Sequence, residues 1–204
     1  MNKTQINLLR FLLLVGGSII MGIGIGLAIS TGYGSDALSW LWQGITLYTP
    51  LTLNQANMLV AILFLIPPLL FDRSQLGIGS IIQPYVVGII TQTIVNSSLN
   101  LSGNLLMLIV ATIIVGIGAG IYSSVNLGKM PYDASIFLVS RKYNLSLAVV
   151  KSVSDAIIFI IAWVLNKQLI IGPIVSVFII GNVLNYTYNF MQKTFQKYQI
   201  HLNK

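Results

Sequence analysis

"GYGSDALSW" at 32–40 and "GKMPYDASI" at 128–136 decide how this chain is read. Each follows a long apolar run, opens on Gly, passes through small or turn residues and reaches Asp-Ala and an apolar stretch. Matches on either side extend the likeness. "GIGIGLAIS" at 22–30 answers "GIGAGIYSS" at 116–124, and "TLNQANMLVAILFLI" at 52–66 answers "SLAVVKSVSDAIIFI" at 146–160, both 94 positions later. "LGIGSIIQPYVVG" at 76–88 answers "LIIGPIVSVFIIG" at 169–181, with Gly79 and Gly88 matching Gly172 and Gly181 at an offset of 93. Asp36-Ala37 answers Asp133-Ala134 at an offset of 97. Four blocks in one order read as an internal duplication. The chain is then a single membrane domain over 1–204, with repeat 1 at about 8–95, repeat 2 at about 101–190 and a tail at 191–204.

Composition sets the class. Residues are 55% hydrophobic and 7% charged, against about one quarter charged in soluble domains. Such a chain cannot cover itself with a solvated surface, so it reads as an all-α membrane protein. Six apolar runs are long enough to span a bilayer as helices: 8–29, 55–71, 78–95, 105–123, 147–165 and 171–190. Pro67-Pro68 reads as a kink or stop near the end of the second. Lys3 and Arg10 resemble the basic start of a signal peptide, but the run after Arg10 belongs to the duplication and is expected to be retained.

With a cytoplasmic N-terminus, ten Lys and Arg fall on the inner side and only Lys167 on the outer. This segregation fits six spans, both termini cytoplasmic and a multi-pass protein of the bacterial plasma membrane. Three spans per half place the second half upside down, the inverted-repeat plan of many secondary transporters. Each repeated phrase then caps a short re-entrant or interfacial helix, "ALSWLWQGI" or "ASIFLVSRK", too short to span. Asp36 and Asp133 are the expected N-caps, and Thr52 and Ser146 cap the spans that follow. A cap role alone and a role at a central cavity both stay open for the two Asp residues.

Gly22 and Gly26, and Gly116 and Gly120, are GxxxG pairs expected to let helices approach closely, with the first and fourth spans crossing. The GxGxG pattern lacks the strand that a nucleotide fingerprint requires. Lys151 and Asp155 lie one turn apart on the fifth span, where Asn57 and Ala61 stand 94 positions earlier. Charge at depth is costly. The pair is read either as self-neutralised at the inner boundary or as a cation, proton or substrate site, with Asp155 the leading candidate. Gln83, Gln92, Asn182 and Asn185 are candidates to line the same cavity. Tyr33, Trp40, Trp42 and Tyr48 suggest an outer aromatic belt, and the tail suggests an interfacial helix.

There is no Cys, which excludes disulfides, thiol catalysis and thiolate metal sites, and His201 is the single His. No metal, cofactor or enzymatic activity is expected. The net charge of +7 serves orientation, not nucleic-acid binding. The expected partners are the lipid bilayer, a small-molecule or ion substrate and a second copy of the chain. The leading reading is a small permease working by alternating access. A non-transporting membrane partner acting through Arg141, Lys142, Lys193 and Lys197 is the alternative, and a channel or lipid-binding protein is the weaker third.

The segments "GIGLAISTGYGSDALSWLWQGI", "GIGAGIYSSVNLGKMPYDASIFLV" and "IIGPIVSVFIIGNVLN" together resemble the YczE/YyaS/YitT family of bacterial integral membrane proteins. The second phrase keeps the Pro of that family's Pro-Xaa-Asp motif as Pro131-Tyr132-Asp133, where the first has Gly34-Ser35-Asp36. The resemblance implies a bacterial plasma-membrane protein and brings no substrate or catalytic residues.

Overall fold

The computed structural model describes residues 3–197. Eight α-helices follow one another with no strand among the described residues: α1 (Lys3–Ser30), α2 (Ala37–Tyr48), α3 (Leu53–Phe71), α4 (Gly79–Asn96), α5 (Leu105–Ser124), α6 (Pro131–Tyr143), α7 (Leu147–Asn166) and α8 (Gly172–Lys197). A 3-10 turn, Arg73–Gln75, joins α3 to α4. Five helices, α1, α3, α5, α7 and α8, are long and apolar enough to cross a membrane. The sixth expected span, at 78–95, falls on α4, which has 18 residues and is not among these five. Gln83, Thr91, Gln92 and Thr93 make it more polar than α1, α3, α5 and α7.

The centre is a backbone-to-backbone approach of α1 and α5. A Cβ on Gly17 would lie 2.7 Å from the Tyr122 nitrogen, and one on Gly24 would lie 2.7 Å from the Ala111 carbonyl oxygen. A Cβ on Gly118 would strike the Met21 nitrogen. The GxxxG pairs do a different job from the one expected. Gly22 and Gly26 seat α4, through Val87, Ile90, Thr91 and Ile94. Gly116 and Gly120 seat α8, through Ile180, Val183, Leu184 and Thr187. Helical positions two apart point about 200° apart, so Gly24 and Gly118 face the central contact while the GxxxG pairs face outward.

The outer helices are exchanged between the two halves of the chain. α2 packs on α7, and α6 packs on α3. The loops follow suit: the Gly79 amide donates to the Leu127 carbonyl at 2.8 Å, and the Gly172 amide donates to the Tyr33 carbonyl at 2.8 Å. Donors and acceptors of these two bonds stand 93 and 94 positions apart. Each phrase therefore docks against the start of the last helix of the other half. Gly34 (φ +71°) and Gly128 (φ +110°) make this docking feasible, being in a left-handed conformation and pressed against Ile170 and Gly77.

Pro67-Pro68 lies inside α3, which stops at Phe71. Pro68 has no amide to donate to the Phe64 carbonyl, and the Ser135 hydroxyl of α6 donates to it instead. The aromatic belt needs correction. Tyr48 is exposed, but Trp40 and Trp42 are 2% exposed, and Trp40 stacks at a tilt on Phe159 of α7 with centroids 5.3 Å apart. The tail is also corrected. α8 runs unbroken to Lys197, Gln192 donates to the Ser124 carbonyl at 2.9 Å, and Phe195 is buried with Leu14 and Tyr122. Residues 198–204, His201 among them, lie outside the described residues.

The central contact predicts a contrast between two glycines. Overpacking at Gly118 by Val should lower the thermal midpoint in detergent by roughly 3–10 °C. Gly181→Ala, at a position with nothing within 4 Å, should leave it unchanged or slightly raised. Differential scanning fluorimetry of the two variants checks this.

Candidate functional site

The chain has four acidic residues, Asp36, Asp72, Asp133 and Asp155. Two of them, Asp133 at the start of α6 and Asp155 two turns into α7, gather around Lys151, and Asp36 starts the helix α2 that packs on α7. On α7, Lys151 Nζ lies 3.9 Å from Asp155 Oδ2 one turn on. The same Nζ lies 3.5 Å from Asp133 Oδ1 of α6 and 4.8 Å from the centroid of the Tyr132 ring. The Tyr132 hydroxyl donates to Asp155 Oδ1. Asp36 stands at the start of α2, which packs on α7. Two carboxylates thus face one ammonium, and all three charged side chains are partly exposed.

The two phrases hold their Asp differently. Asp36 is the N-cap of α2 in a reciprocal box with Ser39: the Ser39 amide donates to Asp36 Oδ1 at 3.0 Å, and the Asp36 amide donates to Ser39 Oγ at 3.1 Å. Asp133 is not a cap. α6 starts at Pro131, with Met130 as an N-cap that forms no side-chain bond. Proline is well suited to a first helical position, and it starts α6 one turn earlier relative to its Asp. Helix starts 37 and 131 differ by 94, the offset of the rest of the duplication, so Asp133 corresponds to Ser39 and the Asp-Ala match at 97 is one turn out of register. Asp133 is thereby released from capping and reaches Lys151. The other two caps are as expected, Thr52 accepting from the Gln55 amide and Ser146 from the Val149 amide.

Of the other candidates, Gln83 is wholly buried on α4, its amide donating toward Met21 Sδ at 3.5 Å and its carbonyl without a partner. Asn182 is exposed on α8 and donates to the Phe178 carbonyl of its own helix at 2.7 Å. Gln92 accepts from the Asn54 amide, and Asn185 is exposed. None of these four bonds to the cluster.

Tyr132 and Trp42 belong to the site and escape a sequence reading centred on charge. Both line a small cavity, about 10 Å³ in volume, together with Leu38, Asn57, Val60 and Phe64. The Trp42 indole N–H is buried and has no acceptor. Phe64 and Tyr132 meet edge to face at 5.0 Å. The available sign was local: Tyr132 sits between the phrase's Pro and Asp, and Leu38 and Trp42 are one turn apart.

The fourth carboxylate is set apart. Asp72 caps the turn after α3 and pairs with Arg141 of α6 at 3.1 Å. Bonds from Ser74, then the charge of Arg141, hold its carboxyl below the ordinary 3.8.

The sequence profile of DUF6198, described as a family of unknown function, matches residues 8–189. An "Uncharacterized protein" of Haemophilus influenzae is 25% identical over 179 residues, covering 85% of this chain and 81% of the relative. The "Uncharacterized membrane protein YczE" of Bacillus subtilis is 22% identical over 183 residues, covering 88% and 85%. The "Uncharacterized protein YyaS" of the same organism is 21% identical over 175 residues, covering 83% and 87%. No solved structure matches. The expected likeness to YczE and YyaS is therefore shown, while that to YitT rests on sequence resemblance alone.

Two outcomes follow from these contacts. Tyr132→Phe removes a hydroxyl donor to a carboxylate and should lower the melting midpoint by roughly 3–10 °C. Asp72 binds its proton less readily folded than unfolded, so its contribution stands above the ordinary 3.8 and is lost as pH falls through the lowered folded value. Asp72→Asn should flatten that acid limb in melts taken from pH 6 down to about pH 3.

Proposed function

The chain belongs to the DUF6198 family, and we propose that it is a small permease that carries a small cation by alternating access. The observation that carries this reading is the meeting of Asp133 and Asp155 with Lys151 on α7, against which both short helices, α2 and α6, pack. Uncompensated charge in a membrane is costly and marks ion or substrate pathways. Two carboxylates against one ammonium leave room for added positive charge.

The contact pattern supports two inverted halves. Positions 94 apart make like contacts: α4 on α1 and α8 on α5 through their GxxxG pairs, and the two loop bonds to Leu127 and Tyr33. In this reading α4 is the sixth span, α2 and α6 are re-entrant, and the segregation of Lys and Arg puts both termini in the cytoplasm of a bacterium. The partner reading draws less support. Arg141 is engaged by Asp72, and Phe195 of the tail is packed into the core.

The test is transport in proteoliposomes, with charge movement recorded on a supported membrane across a panel of organic and inorganic cations. Asp155→Asn should lower the flux at least about tenfold, the loss of roughly 1.4 kcal/mol of interaction, with insertion and oligomer profile intact. Full flux by Asp155→Asn removes that residue from the pathway, and no flux of any cation by the native protein removes the permease reading.

A further inference from the structure

We infer that Lys151 is the chain's own stand-in for cargo: its ammonium occupies a site that takes an organic ammonium ion, and a primary amine with an apolar body displaces it. The inference rests on the permease reading and names its substrate class.

The surroundings of Lys151 Nζ are those of an ammonium receptor. Two carboxylates, at 3.5 and 3.9 Å, supply charge, and the Tyr132 ring at 4.8 Å supplies its electron-rich face. The fit is loose, since charge-assisted N–H···O bonds usually close to about 2.7–2.9 Å. A lysine tethered to α7 cannot optimise contacts to Asp133 on α6 and Asp155 on its own helix together. A free ammonium can approach both. Lys151 also has no counterpart in the other half, where Asn57 stands at the corresponding position and donates to the Pro84 carbonyl at 2.6 Å.

An independent observation points to the rest of the ligand. The Trp42 indole N–H is buried and has no acceptor, and an orphaned buried donor is costly. Trp42 lines one small cavity together with Tyr132, whose ring faces the ammonium, and with Leu38 and Phe64. A ligand with an ammonium at one end, an apolar or aromatic body and one hydrogen-bond acceptor would use every one of these groups. At about 10 Å³ the cavity holds about one water, so such a ligand enters only as Lys151 leaves and the walls part.

The experiment is chemical rescue. Lys151→Ala, purified in detergent, is melted with ethylamine, with tyramine (ammonium, ring and hydroxyl) and with uncharged 2-phenylethanol. The variant should melt below the native protein, and ethylamine should restore it saturably by about 5 °C or more at a hundredfold excess over its Kd. The native midpoint should barely move with ethylamine. Tyramine should bind the variant at least tenfold more tightly than the native protein, 2-phenylethanol should do nothing, and Asp155→Asn added to Lys151→Ala should abolish rescue. If Lys151→Ala does not fold, Lys151→Met, which keeps an apolar stem, is assayed for radiolabelled tyramine with the same tenfold expectation.

Equal or weaker amine binding after loss of Lys151 overturns the inference, as does rescue by sodium where ethylamine fails. Native flux of some cation alongside that result would leave the permease reading standing. Rescue without any native flux would keep the amine site and remove the permease.

Discussion

The near-contact of α1 and α5 sets everything else in this protein. With glycines at 17, 24 and 118 the two backbones touch, and no side chain separates the halves along that line. Close approach of this kind is how helices associate where lipid is as apolar as the side chains. Once α1 and α5 are locked, their opposite faces are committed to α4 and α8 by the GxxxG pairs. The remaining helices must then pack around this four-helix centre, and they do so by exchange. Exchange brings α2 to α7 and α6 to α3, while α6 also meets α7 of its own half; the last contact joins Asp133 to Lys151 and Asp155, and the first sets α2, with Asp36 at its start, on the same helix.

Most of the helices were legible because apolar runs and caps are local. Thr52 and Ser146 announce the starts of α3 and α7, and the GxxxG pairs announce close packing. What they pack against was not legible, because a glycine's partner is a non-local fact. The Asp-Ala match misled by one turn for a definable reason. Identity of residue types suggested an offset of 97, but the helix start is decided by Pro131 in one copy and by the Asp36 box in the other. The tryptophans misled as well. Trp40 and Trp42 suit a membrane interface on composition, but α2 docks on α7 and buries them. Phe195 is the same case in the tail, since the amphipathic pattern of an interfacial helix is also that of a helix end packed on α1 and α5.

The site itself was half legible. Charge in an apolar run singled out Lys151 and Asp155, and the repeated phrase singled out Asp36 and Asp133. Asp133, Lys151 and Asp155 meet across neighbouring helices of one half, and Asp36 reaches α7 only through the exchange of α2, which no spacing in the chain encodes. Gln83 and Asn182 carry the same kind of polar signal and sit elsewhere, one orphaned against Met21 and the other turned back on its own helix. A buried amide in a membrane helix has several uses, and only its neighbours distinguish them.

The duplication is unequal at one place, and that place is the site. α3 packs on α4, whereas α7 makes no comparable contact with α8 and is held by α2 and α6. The bonds that fasten α7 at its start are those of the cluster: Lys151 to Asp133, and Tyr132 to Asp155. In the first half the corresponding helix has Asn57 and Ala61 instead, and its amide is spent on the Pro84 carbonyl of α4. The first half therefore closes its middle helix with a neutral hydrogen bond to a neighbouring helix of its own. The second half closes it with ion pairs whose strength depends on what other charge is present. Any cation that takes the place of the Lys151 ammonium changes the attachment of α7 to α6 while leaving the α1–α5 centre untouched. The same few side chains thus carry both the charge of this cluster and the attachment of α7, and the asymmetry of the two halves places both on one helix.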